Sequence, residues 1–287
     1  AQETFALLKN EDNALPISKT SKVTLLGLRS YAAIYGNSGG SIADKNTVDN
    51  GNKIYEAFEK SGFQLNPSML NTYKTYFSDK TWGGKGFGAT PPEYTDFAKT
   101  NEVSELSPSE LASINPNYKE DFSSYNDAAI VVVGRPGGES KEYVAGANPE
   151  CTTGNIMGLS EEEREIIKLA KDNFKKVIVL VNSVTTMEIK ELRDDPDIDA
   201  IMWIGYPGAY GFYAVADVLN GTVSPSASLG DVFVSNNQAN PSMQSFGNIP
   251  WANASEFEAA ENVNSYLVEA EGIYQGYRYY ETRYNDI

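Results

Sequence analysis

Residues 129–134 read Ala-Ile-Val-Val-Val-Gly, a run of apolar, mostly β-branched side chains. Continuous rather than alternating hydrophobicity indicates a strand that is buried on both faces, as in a parallel sheet covered by helices. Similar short runs occur at residues 23–28, 177–182 and 200–205. The four runs predict the strands of one mostly parallel sheet.

Helical patterns separate these strands. Ser160 and Glu163 have the spacing of a capping box with an acidic first turn, and apolar residues then recur at helical spacing as far as Phe174. Weaker patterns predict helices over about residues 50–61 and 208–220, each ended by a glycine. Alternating strands and helices predict an α/β fold, a layered α/β sandwich with a mostly parallel sheet flanked by helices on both faces.

The remaining segments indicate how the chain is organised. We expect residues 1–287 to form a single domain, with irregular loops at about 64–122 and 236–264; the Gly- and Pro-rich segment 81–94 predicts a long surface loop. The first ten residues, AQETFALLKN, resemble the tail of a helix, and the first residue is not Met. We therefore expect a piece of a longer protein.

The composition excludes several classes of function. The chain has 23 Lys and Arg residues against 39 Asp and Glu residues, a net charge of −16, which disfavours nucleic acid and anionic membranes as partners. It has no histidine, which removes Ser-His-Asp and Cys-His catalysis, and its single cysteine, Cys151, forms no internal disulfide. No cofactor or metal is implied, and no membrane span or signal peptide is visible. Location stays open, with a secreted or cell-surface protein slightly favoured.

The clearest candidate chemistry follows the strand at 129–134. Gly138 precedes Glu139, and Glu142 follows three residues later. Open α/β sheets place their ligand crevices at the carboxyl ends of such strands, and the glycines allow close approach of a ligand. From the residues alone, a surface turn with two solvated glutamates is the simpler interpretation.

Three segments, in order along the chain, carry a family resemblance. They are residues 5–16 (FALLKNEDNALP), residues 203–208 (WIGYPG) and residues 271–282 (EGIYQGYRYYET). The second is followed at matching positions by Gly211, Ala214, Asp217, Val218, Leu219, Gly221, Pro225 and Ser226. All three resemble motifs of the α/β sandwich domain of glycoside hydrolase family 3, the family of β-glucosidases and β-xylosidases.

The resemblance implies an exo-acting, retaining β-glycosidase, above all a β-glucosidase, acting on a β-glucoside or related oligosaccharide. Glu139 matches the family's general acid/base, although Ser140 stands where the family has glycine, and Glu142 is a second candidate. The family's nucleophile is an aspartate of a separate TIM-barrel domain, typically followed by Trp, and no Ser-Asp-Trp occurs here. We therefore expect a barrel domain as partner and an inactive isolated domain.

Four residues are candidates for substrate binding. Trp82 and Phe87 offer flat aromatic faces for stacking on a sugar, unless their loop packs on a neighbouring domain. Arg135 and Tyr35, beside the two Gly-rich segments, complete the set.

Alternatives to this function remain at the sequence level. Ser140 keeps open a non-catalytic carbohydrate-binding or interdomain scaffold. Residues 35–41 lack the Lys-Ser/Thr of a phosphate loop, which leaves nucleotide binding with little support. Domain order in the parent chain is also open, because Phe246-Gly247-Asn248 before the terminal motif is similar to circularly permuted family members.

Overall fold

The computed structural model describes most of the chain in several ranges. These are residues 1–36, 53–78, 105–135, 157–239, 241–244, 249–250, 252–253, 256, 265–266, 269 and 271–285. The chain divides into two compact units, Ala1–Leu229 and Gly230–Ile287. That the whole chain is one domain stays a prediction.

A six-stranded sheet forms the centre of the first unit. Its strands are β1 (Ala6–Asn10), β2 (Lys22–Leu26), β3 (Gln64–Leu65), β4 (Ala128–Arg135), β5 (Val177–Ser183) and β6 (Ala200–Trp203). They lie in the order β1-β6-β5-β4-β2-β3, and every neighbouring pair is parallel except β1 with β6. The four strands predicted from apolar runs are confirmed, as is the mostly parallel sheet.

Helices cover this sheet on both faces. They are α1 (Ile54–Lys60), α2 (Pro67–Tyr76), α3 (Pro108–Ile114), α4 (Glu161–Asn173), α5 (Lys190–Asp194) and α6 (Gly211–Leu219). Helices α1 and α6 pack together over one face, while α4 packs on β4 and contacts α3, which in turn contacts α2. The predicted layered α/β sandwich is therefore confirmed.

The core explains why the central strands are continuously apolar. Every residue of β4 and β5 is buried. Alternate residues, among them Ile130 and Ile178, join the apolar cluster that α1 and α6 complete. The intervening residues point to the opposite face, since side chains alternate along a strand. A strand covered on both faces has no position where a solvated side chain fits.

The first ten residues correct one prediction. They do not end a helix; residues 6–10 form β1, which pairs antiparallel with β6 at the edge of the sheet. The strand is buried at Ala6 and becomes exposed by Asn10. A short apolar run fits a half-buried edge strand as well as a helical turn, and periodicity alone does not separate the two.

The segment 64–122 was predicted to be an irregular loop, and its described parts correct that prediction because they are mostly ordered. They contain β3, α2 and α3. Asn66 caps α2 by accepting a bond from the Met69 amide, and Ser107 forms a capping box with Glu110 at the start of α3. Each cap is followed by proline at the first helical position. The Asn66-Pro67 and Ser107-Pro108 pairs therefore mark helix starts.

The second unit consists of short elements. A 3₁₀ turn (Asn237–Ala239) and α7 (Pro241–Gln244) precede an antiparallel pair, β7 (Ile249–Pro250) with β8 (Ser265–Tyr266). Within the terminal motif, Tyr277–Thr282 forms helix α8. Among the described residues, no helix has the length and apolarity needed to cross a membrane.

Candidate functional site

The candidate site lies where the parallel strands end. The carboxyl ends of β2, β4, β5 and β6 meet at one border of the sheet, which we call the carboxyl edge and define by Gly27, Arg135, Ser183 and Ile204. Ligand crevices of open α/β sheets form at this border. Residues 136–156, which contain Glu139 and Glu142, follow β4 in the sequence and lie outside the described residues.

Arg135 is the last residue of β4, and its side chain is fully buried. Its guanidinium makes two bonds to the Glu163 carboxylate, Nη1 to Oε1 at 2.7 Å and Nη2 to Oε2 at 2.8 Å. It also donates to the carbonyl oxygens of Gly134 and Gly158. Removing one partner of such a buried pair typically costs about 3–5 kcal/mol, because the other charge is left without compensation.

Glu163 takes part both in the ion pair with Arg135 and in the capping box at the start of α4. The Ser160 amide donates to Glu163 Oε2 at 2.9 Å, and the Glu163 amide donates to Ser160 Oγ at 3.1 Å, as the predicted capping box requires. The same oxygen of Glu163 accepts from Arg135. The N-terminus of α4 is thereby linked to the end of β4.

Asn182 connects three segments of the carboxyl edge. It is fully buried near the end of β5. Its Oδ1 accepts from the Ile34 amide at 2.7 Å, and its Nδ2 donates to the carbonyl oxygens of Ile34 at 3.0 Å and Gly205 at 2.7 Å. Its side chain therefore holds together the segments that follow β2 and β6.

The segment after β6 carries the Gly-Tyr-Pro-Gly motif. It is hydrogen-bonded to the end of β4 and to the segment after β2. The Tyr206 hydroxyl donates to the backbone carbonyl of Arg135 at 2.9 Å. The Gly208 amide donates to the carbonyl of Tyr35 at 2.7 Å. The motif therefore has a structural role here, because it holds the end of β4 and the segment after β2 in place.

Glu105 adds a carboxyl group with an altered pKa. It accepts bonds from the Leu28 amide, at 2.9 and 3.0 Å, and from the Leu106 amide at 2.8 Å. Burial raises the pKa of Glu105 to about 8, with a further contribution from the negative charge of Glu163, although both amides favour the ionised form. The carboxyl edge therefore holds one carboxyl that resists ionisation.

The predicted site residues divide into two groups. Glu139, Glu142, Trp82 and Phe87 lie outside the described residues, so their roles stay predictions. Arg135 and Tyr35 both lie at the carboxyl edge and are buried, with Tyr35 2% exposed.

The buried positions of Arg135 and Tyr35 show what each contacts. Arg135 is engaged by Glu163, whereas the Tyr35 ring packs edge-on against Phe212 and its hydroxyl accepts from the Ile54 amide. A packing role is what the structure shows for both residues, and their contact with sugar remains a prediction.

Sequence reasoning missed four residues of this edge. Asn182 carried a usable signal, a polar residue at the end of an apolar strand, and Glu163 was visible only as half of a capping box. Tyr206 lay inside a family motif without a stated role, and Glu105 had no local signal. Across the described ranges, no cluster of three or more Cys, Asp or Glu side chains is arranged to hold a metal ion.

The mixed sheet, its two helical layers and the polar carboxyl edge define an α/β sandwich domain. Residues 5–277 match the family model of the glycosyl hydrolase family 3 C-terminal domain. The chain belongs to this family, as its three motifs suggested.

Known proteins similar to the chain agree with this assignment. It is 27% identical to β-glucosidase A of Butyrivibrio fibrisolvens and 26% identical to a β-glucosidase of Ruminococcus albus, covering 98% and 96% of this chain. The structure resembles a β-glucosidase of Paenibacillus barengoltzii, with a TM-score of 0.73 and 25% identity over 98% of this chain and 27% of that one. It also resembles β-glucosidase 3B of Thermotoga neapolitana in complex with α-D-glucose, with a TM-score of 0.67 and 27% identity over 97% of this chain and 34% of that one.

The relatives are much longer than this chain. It spans 32% of the Butyrivibrio protein and 25% of the Ruminococcus protein. The chain therefore corresponds to one part of these longer proteins.

Proposed function

We propose that this chain is the domain of an exo-acting, retaining β-glucosidase that supplies the general acid/base, Glu139, and one wall of the aglycone subsite. The family match over residues 5–277 carries this proposal, because the relatives that align with nearly the whole chain are named β-glucosidases. The fold supports it: Glu139 comes four positions after Arg135 in the sequence, and Arg135 ends β4, a central strand, at the border where α/β sheets bind ligands.

The reaction needs two carboxyl groups on opposite sides of the anomeric carbon, about 5–5.5 Å apart. An aspartate of a TIM-barrel domain attacks the anomeric carbon and forms a glycosyl ester. The Glu139 carboxyl transfers its proton to the glycosidic oxygen as that carbon–oxygen bond breaks. Water then attacks the ester, Glu139 takes a proton from that water, and the aspartate leaves as a carboxylate. Both steps are carboxyl chemistry and need no cofactor.

Glu139 must hold its proton at the working pH, so its pKa has to be raised by a water-poor crevice or by the nearby nucleophile carboxylate. The barrel domain supplies both conditions in this proposal. It also supplies the contacts to the non-reducing sugar, which is why the sugar specificity belongs to the complete protein. Trp82 and Phe87 remain our candidates for stacking on the substrate.

The direct test is Glu139→Ala in the complete protein, measured on aryl β-glucosides of graded leaving-group ability. We expect kcat on poor leaving groups to fall by about 10²–10⁴-fold, because they depend on protonation. Activated aryl glucosides should lose far less in the first step, and added azide should restore part of their turnover by attacking the glycosyl ester.

Glu142→Ala is the matched control, three residues along the same segment. We expect it to keep the wild-type dependence on leaving group. If Glu142→Ala shows the loss instead, the acid/base is Glu142. If Glu139→Ala affects good and poor leaving groups equally, the domain acts in binding or packing, as the scaffold alternative holds.

A further inference from the structure

One buried side chain connects the two ends of residues 136–156. Arg135 lies immediately before this segment, at the end of β4, and Gly158 lies two residues after it. The Arg135 guanidinium donates through Nη2 to the Gly158 carbonyl oxygen. The described residues on either side of this segment are therefore held together at one point.

The Arg135–Glu163 pair makes this connection rigid. The two side chains are 0% and 4% exposed, and the guanidinium contacts both carboxylate oxygens. A planar guanidinium bound in this way has one orientation, whereas a single ammonium–carboxylate contact leaves several. Replacing such a buried ion pair by apolar residues is often neutral for stability. The Arg135–Glu163 pair is therefore better explained by the fixed geometry that it gives the strand end than by a net gain in stability.

Tyr206 holds the same strand end from another side. Its hydroxyl donates to the Arg135 carbonyl, the last backbone group of β4 before residue 136. Glu163 is in turn held by the Ser160 amide at the start of α4. The strand end is therefore attached to α4 and to the segment after β6.

We propose that Arg135, Glu163 and Tyr206 are positioning residues that set where Glu139 meets the substrate, an inference that rests on the proposed function. Arg135 and Glu139 are only four positions apart, so covalent geometry keeps their Cα atoms within about 14 Å of each other. Displacing a catalytic group by about 1 Å costs up to about 10²-fold in rate. A strand end anchored by side chain and backbone reduces such displacement.

Arg135→Lys in the complete protein tests the ion pair, because lysine keeps the charge and loses the two-point contact. We expect kcat/KM, which reports the first step, to fall about tenfold or more on poor leaving groups and about twofold or less on activated aryl glucosides, since a misplaced acid impairs protonation of the leaving group selectively. The matched control is Arg164→Lys. Arg164, the next residue of α4, makes a similar two-point pair with Glu191 at 2.8 and 2.9 Å on the surface. It should leave the leaving-group dependence unchanged.

Tyr206→Phe is a second test that removes one hydroxyl and keeps the ring. We expect a smaller change of the same kind, a loss of a few-fold confined to poor leaving groups. Tyr73→Phe is its control, because the Tyr73 hydroxyl accepts from the Gly27 amide at the end of β2. That variant should lower the thermal midpoint without changing the leaving-group dependence.

The outcomes separate this inference from the proposed function. If Glu139→Ala shows the selective loss while folded Tyr206→Phe and Arg135→Lys keep the wild-type dependence, the positioning role is overturned. If Arg135→Lys does not fold, the result for Tyr206→Phe decides. If Glu139→Ala itself affects all leaving groups equally, the proposed function fails and the positioning role fails with it.

Discussion

Glu105 shows how a single residue ties the stability of the carboxyl edge to pH. Its carboxyl lies against the Leu28 and Leu106 amides, in a setting where burial favours the protonated form. The pKa of about 8 stands above the ordinary 4.5. Between these two pH values the unfolded chain releases a proton that the folded chain retains. The contribution of Glu105 to stability therefore falls as the pH rises from about 4.5 to about 8, and levels off above it.

The direction of this pH dependence predicts how Glu105→Gln should behave. Glutamine stays neutral, so the variant should lack this part of the fall in stability. Each unit of pKa difference corresponds to about 1.4 kcal/mol, so the gap between variant and wild type should change by on the order of 4 kcal/mol across this range. Urea unfolding of both chains at pH 5, 6.5 and 8.5 measures it. A gap that is constant with pH would show that Glu105 titrates normally.

Residue-level prediction succeeded where the signal was local and failed where it was not. Ser160 and Glu163 are three positions apart, and their capping box could be predicted from the sequence. The pair between Arg135 and Glu163 joins positions 28 apart, and nothing in one sequence indicates which buried acid faces a given arginine. The raised pKa of Glu105 is caused chiefly by burial, which a polar, Ser-rich segment does not suggest.

At the scale of elements, the close approach of β4 and β5 controls how the strand end is placed. Gly134 pairs with Asn182 in the parallel ladder. A Cβ added at Gly134 would lie 2.6 Å from the Asn182 carbonyl oxygen and 3.3 Å from its Cβ. The glycine is therefore required by packing between the strands, one residue before Arg135.

Gly134→Ala should force these strand ends apart. We expect a loss of about 1–3 kcal/mol in the free energy of unfolding, because the neighbour is backbone that cannot turn aside. Gly230→Ala is the control, since a Cβ there meets nothing within 4 Å, and its effect should stay within about 1 kcal/mol. Equal thermal midpoints for the two variants would contradict this account of β4 and β5.

The elements also show what patterns in a sequence predict well. Strands β4 and β5 are buried along their whole length, and their unbroken apolar runs identified them. Helices α2 and α3 were not predicted, because each begins with residues that are equally typical of turns. These residues are Asn66-Pro67 and Ser107-Pro108. β1 was mistaken for helix because a short edge strand has no clear period.

At the scale of the whole molecule, the chain corresponds to only one part of its relatives. It covers a quarter to about a third of the relatives reported above. A retaining glycosidase needs two carboxyl groups facing one sugar, and in the proposed function this chain provides only the acid/base. The family and fold could be predicted from three motifs and four apolar runs, whereas the nucleophile that completes the site comes from another domain in the proposed function.

The central claim is that catalysis requires this domain together with a nucleophile from elsewhere in the parent protein. The most direct measurement is hydrolysis of an aryl β-glucoside by this chain alone, by the separately purified remainder of the parent protein, and by the two mixed. We predict no turnover by either part alone and turnover on mixing, lost when the chain carries Glu139→Ala and poor leaving groups are used. Turnover by the chain alone, or full turnover by the remainder alone, would contradict the account.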